Sequence, residues 1–87
     1  MADRYSVTVR FFAAARAAAG VDQEQIDVQA PAFVADVLEA AVDAHGPKLA
    51  EVLRRCSFLL DETAVHGDQV PVAQGSVLDV LPPFAGG

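Results

Sequence analysis

The 87-residue chain has a single cysteine, no tryptophan, two histidines, and only six basic residues against twelve acidic ones. One thiol, Cys56, excludes an intramolecular disulfide and any four-cysteine zinc or iron–sulfur site. His45 and His66 have no companions at ligand spacing, so no metal site is expected. A formal charge of −6 has the wrong sign for gripping a phosphate backbone, which removes nucleic acid from the expected partners. An acidic surface suits a basic groove on another protein instead. No stretch approaches the roughly 18 apolar residues of a membrane helix, and the start Met-Ala-Asp-Arg-Tyr has no apolar signal-peptide core. The expectation is a cytoplasmic protein with no membrane partner. No glycine pattern of the phosphate-cradling kind occurs.

What remains is a chain that is 53% hydrophobic and 21% charged, rich enough in apolar residues to bury a core. Its length suits one domain, residues 1–87, with no repeat and no linker.

Tyr5 to Phe12 alternates strictly. Tyr5, Val7, Val9 and Phe11 fall on one side, and Ser6, Thr8, Arg10 and Phe12 on the other. An Ala-rich helical turn then stops at Gly20, and Gln25 to Ala30 alternates again with Ile26, Val28 and Ala30 inward. From Phe33 the period becomes helical, with Val34, Val37, Leu38, Ala41 and Val42 on one face and Asp36, Glu39 and Asp43 on the other. His45-Gly46-Pro47 stops that helix, with Gly46 expected in a left-handed cap. Leu49, Val52 and Leu53 mark a second, short helix.

Ser57 to Asp61 reads as a strand with Phe58 and Leu60 inward and Leu59 outward. Asp61-Glu62-Thr63 turns into a weak strand over Ala64 to His66. The last strand, Ser76 to Leu81, puts Leu78 and Val80 on one face and Val77, Asp79 and Leu81 on the other, until Pro82-Pro83 ends pairing. Two strands, a helix across them and further strands make an α+β, β-grasp (ubiquitin-like) fold. Its mixed, curled sheet of four to five strands packs on one main helix plus a short helix.

The chain finishes Leu81-Pro82-Pro83-Phe84-Ala85-Gly86-Gly87. A flexible tail over residues 82–87 has a reach of roughly 20 Å, at about 3.3–3.6 Å per residue. Without Cβ atoms, Gly86 and Gly87 are thin enough for a narrow channel and leave the last carbonyl unshielded. A carboxylate there becomes electrophilic once its oxygen joins a leaving group, as in an acyl-adenylate. A frayed end is the plain alternative.

Val9-Arg10-Phe11-Phe12-Ala13-Ala14-Ala15-Arg16, closed by Gly20, and the ending Val80-Leu81-Pro82-Pro83-Phe84-Ala85-Gly86-Gly87 resemble the molybdopterin synthase small subunits among the MoaD/ThiS-like ubiquitin-fold sulfur carriers. Gln74-Gly75-Ser76 stands where that family often has Asp-Gly-Asp, and Arg16-Ala17 where it often has Arg-Glu. The resemblance implies no bound cofactor. An E1-like adenylyltransferase would use ATP to activate Gly87, and a sulfur donor would convert it to a thiocarboxylate. The large subunit of molybdopterin synthase would receive the tail and hold the catalytic side chains. Gly87 supplies the reacting atom and Gly86 the clearance. The same pattern leaves open a carrier for thiamine, cysteine or tRNA thiolation, a ubiquitin-like modifier, and an inert β-grasp interaction module.

Strand parity adds a docking patch. Phe12, Leu59 and Leu81 share the outward face, and with Pro82, Pro83 and Phe84 they form the expected partner-binding set at the base of the tail. Single exposed apolar residues are also ordinary, so both readings stand. Arg10 on that face is expected to be solvated. Cys56, despite two preceding arginines, is expected to be a small buried residue.

Overall fold

The computed structural model describes residues 3–83. The alternating N-terminal segment forms β1 (Arg4–Phe11), whose Val7, Val9 and Phe11 are buried. Phe12 lies just past the strand as the cap of α1 (Ala13–Ala19), a full helix where a single turn was expected. Gly20 closes α1 in the left-handed region, its N–H donating to the Arg16 carbonyl. β2 (Gln23–Gln29) then returns antiparallel to β1, with Ile26 opposite Val7 and Val28 opposite Tyr5. Ala30, expected inside this strand, is half-buried beyond its end, its N–H bonded to the Asp3 carbonyl at 2.9 Å.

The 3.6-residue period becomes α2 (Val34–His45), which buries Val34, Val37 and Ala41. Asp36 accepts a 2.8 Å hydrogen bond from the Phe33 N–H, holding one donor at the helix entry. Gly46 ends α2 but does not take the expected left-handed cap. Its φ of 94° and ψ of −173° lie in a region essentially closed to residues with a Cβ. The reason is the next element: α3 (Pro47–Leu53) starts at once, with Pro47 in its first turn, so one residue must both end a helix and begin another.

Three strands complete the chain: β3 (Ser57–Leu60), β4 (Thr63–Val65) and β5 (Val77–Leu81). The single sheet runs β2-β1-β5-β3-β4, with β1 and β5 parallel and every other pair antiparallel. Its inner face packs Val7, Val9, Leu78 and Val80, all fully buried, with Val37 and Ala41 of α2 and Leu49 of α3 in one cluster. This is the β-grasp arrangement that the element order predicts. Among the described residues no helix is long and apolar enough to cross a membrane.

Because β5 sits between β1 and β3, Leu78 packs against both halves of the sheet. Leu78→Ala should lower the unfolding free energy by about 2–5 kcal/mol. The measurement is a shift in denaturant midpoint at unchanged slope.

Candidate functional site

The outer face of the sheet and the end of β5 form the candidate site. Register places Arg10 beside Asp79 and Asp79 beside Leu59, in one row across β1, β5 and β3. One row towards the C-terminus, the Phe12 N–H donates to the Val80 carbonyl at 3.2 Å and Leu81 pairs with Ser57. Phe12 is 37% exposed, whereas Leu59 and Leu81 are half-buried. The apolar patch therefore has one projecting ring and two flatter neighbours.

Arg10 is not simply solvated. Its Nε and Nη2 donate to the two carboxylate oxygens of Asp79 at 2.5 and 2.7 Å, a bidentate pair. The hydrogen bonds and charge of Asp79 hold the guanidinium proton more firmly than usual. The Asp79 side chain is only 8% exposed although it lies on the outer face, and that of Arg10 is 42% exposed. Sequence parity puts both residues outward, but the cross-strand register that joins them is not visible in the pattern of either strand.

Next to this pair lies the turn between β3 and β4. Asp61 and Glu62 both have positive φ, 50° and 70°, the backbone twist of a two-residue hairpin. Asp61 is held on both sides: its N–H donates to the Val77 carbonyl at 2.8 Å, and its carboxylate accepts from the Val77 N–H at 2.9 Å. Arg10, Asp61, Glu62 and Val77 border one shallow hollow.

At the base of the tail, Pro82 is buried and Pro83 exposed, and the two border a second hollow with Ala14, Val52 and Arg55. Pro82, the first residue of the expected tail, is thus packed on the body. Phe84, Gly86 and Gly87 lie outside the described residues.

Cys56 and His45 have structural surroundings. Cys56 is half-buried rather than buried, and its Sγ–H donates to the Val52 carbonyl at 3.2 Å. Loss of solvent pushes its thiol above the usual value, with Arg55 opposing the shift. His45 pairs with Glu24 of β2 and meets the Phe11 ring edge-on, with ring centres 6.0 Å apart. It joins the end of α2 to the sheet. Among the described residues no three His, Cys, Asp or Glu side chains gather as a metal site.

Comparison with known proteins agrees with this architecture. The profile of the ThiS family matches residues 9–87. A molybdopterin synthase sulfur carrier subunit from Chlamydomonas reinhardtii is 30% identical over 82 residues, covering 93% of this chain and 98% of that protein. The crystal structure of SAMP1 from Haloferax volcanii is 30% identical with a TM-score of 0.81, covering 94% of this chain and 99% of that one. A protein–protein complex of subunits 1 and 2 of the molybdopterin-converting factor from Helicobacter pylori contains a chain 27% identical, with a TM-score of 0.63 and coverage of 94% and 99%.

The surroundings of Cys56 fix an alkaline behaviour. The folded thiol keeps its proton to higher pH than the unfolded chain's thiol, so its contribution to stability is full below the unfolded value and falls as the pH rises beyond it. Alkylation at about pH 8 should be slower than for an unfolded-chain cysteine and should accelerate in denaturant. Thiol-labelling rates followed by intact mass check both.

Proposed function

The chain belongs to the ThiS family, and on that premise we propose that it is the sulfur carrier of a molybdopterin synthase, with the carboxyl group of Gly87 as its reacting end. What supports this most directly is the place of β5. The central strand ends beside Phe12, so the last described residues lie next to a projecting apolar ring. The Chlamydomonas relative bears the carrier's name, and the Helicobacter complex joins a similar chain to a second subunit.

In this reading an E1-like enzyme positions the Gly87 carboxylate to attack the α-phosphorus of ATP, releasing pyrophosphate. The acyl-adenylate is then open to hydrosulfide supplied by a sulfur donor, which adds at the carbonyl, displaces AMP and, on losing its proton, leaves a thiocarboxylate. The large subunit takes in the charged tail, where the sulfur passes to a cyclic pyranopterin precursor. The carrier's body supplies no acid or base to these steps. Its described side chains form a docking face of Phe12, Leu59 and Leu81, with Pro82 and Pro83 stiffening the exit of the tail. Gly86 and Gly87 give the tip the slenderness a channel requires. The reaction takes place in the cytoplasm, without a cofactor resident on this chain.

The likeness to SAMP1, a small archaeal modifier protein, supports a second reading, in which the same activated end is joined to lysines.

Incubation with ATP, the adenylating enzyme and a sulfur source should change the intact mass by one oxygen exchanged for one sulfur. A stable isopeptide adduct in its place would favour the modifier. Removing Gly87 should abolish charging without moving the thermal midpoint. Phe12→Asp should weaken binding of the large subunit at least about tenfold, because a central aromatic anchor is replaced by a charge. Titration calorimetry checks this, with circular dichroism confirming an unchanged fold.

A further inference from the structure

We propose that the Arg10–Asp79 pair selects the partner of the outer sheet face: the docking protein must set a neutral carbonyl oxygen, from its backbone or from an Asn or Gln side chain, against the Nη1 edge of Arg10. This inference rests on the docking face described under Proposed function and names the chemistry at its centre.

The pair occupies the middle of that face. Arg10 and Asp79 are neighbours in register, Leu59 follows in the same row, and Phe12 and Leu81 lie one row nearer the tail. A partner covering Phe12 and Leu59 must also cover Arg10. The guanidinium spends its Nε and Nη2 on Asp79, and among the described residues no acceptor meets Nη1. With 42% of the side chain exposed, those remaining donors are open to water in the free protein. An apolar partner surface would strip that water and leave donors buried without acceptors, which penalises the wrong partner more than it weakens the right one.

The acceptor is neutral because the charge of Arg10 is already answered. Asp79 lies against it, and Asp61 and Glu62 border the same hollow as Arg10. A carboxylate from the partner would bring a fourth negative group to one positive group. A carbonyl oxygen satisfies the donors without that repulsion.

The test compares the full-length protein with the double variant Arg10→Leu/Asp79→Leu, with Arg10→Lys and with Phe12→Asp, each titrated with the large subunit. The double variant removes both charges together, so no orphan carboxylate is left in the sheet. It should lose about tenfold in affinity, the equivalent of one hydrogen bond at an interface. Arg10→Lys, which keeps the charge but not the planar fork, should also bind more weakly and serves if the double variant does not fold. The affinity gap between wild type and double variant should stay constant from low to high salt. A gap that closes with salt would mean a charged acceptor and overturn the neutral one.

Unchanged or tighter binding by the double variant overturns the inference. If Phe12→Asp still weakens binding in that case, the docking face itself survives. If Phe12→Asp binds as wild type does, the docking face fails and the inference with it.

Discussion

The parallel pairing of β1 with β5 is the constraint from which the rest of the molecule follows. Thr8 to Phe11 align with Val77 to Val80, joining segments from opposite ends of the sequence. Val7, Val9, Leu78 and Val80 are fully buried along this seam, and that burial offsets the entropy of closing so long a loop. β2 adds to one side of the seam, β3 and β4 to the other, and α2 and α3 cover the inner face. The pairing also fixes the neighbourhood of the candidate site. Phe12 and Leu81 lie in the same row, so the projecting ring and the last described residues emerge together.

Much of this is legible in the residues because burial follows period. Val7, Val9 and Phe11 alternate and are buried, as are Leu78 and Val80, and the helical spacing of Val34, Val37 and Ala41 yields the buried stripe of α2. Parity does not carry register, so the contacts that depend on which rows face each other are not readable. Arg10 and Asp79 look like two solvated charges until β1 and β5 are aligned. His45 and Glu24 look unrelated until the end of α2 is laid over β2. Leu59, outward by parity, is half-buried because outward residues of a sheet still shelter one another. Gly46 was legible as a stop, but its backbone angles answer to α3, which starts one residue later. As for the tail, the reading of Gly86 and Gly87 rests on the sequence alone, and the described residues reach as far as Pro83.

The outer face combines two kinds of surface that are usually kept apart. An apolar ring stands beside a carboxylate held in place by a guanidinium, with a strained acidic turn at the margin. Apolar contact gives such a face its adhesion, and fixed donors and acceptors restrict what may adhere. Such a face favours a partner that matches its polar centre over one that offers apolar contact alone.

The strand in the middle of the sheet is also the last one in the described chain. During synthesis the β1–β2 hairpin and the helices emerge while their central neighbour is still missing, so β1 and β3 each present an unpaired edge. The body can close only when Val77–Leu81 arrives, and folding becomes a late, nearly single event with a high share of distant contacts. Any truncation that reaches into this strand removes the keystone of the whole sheet.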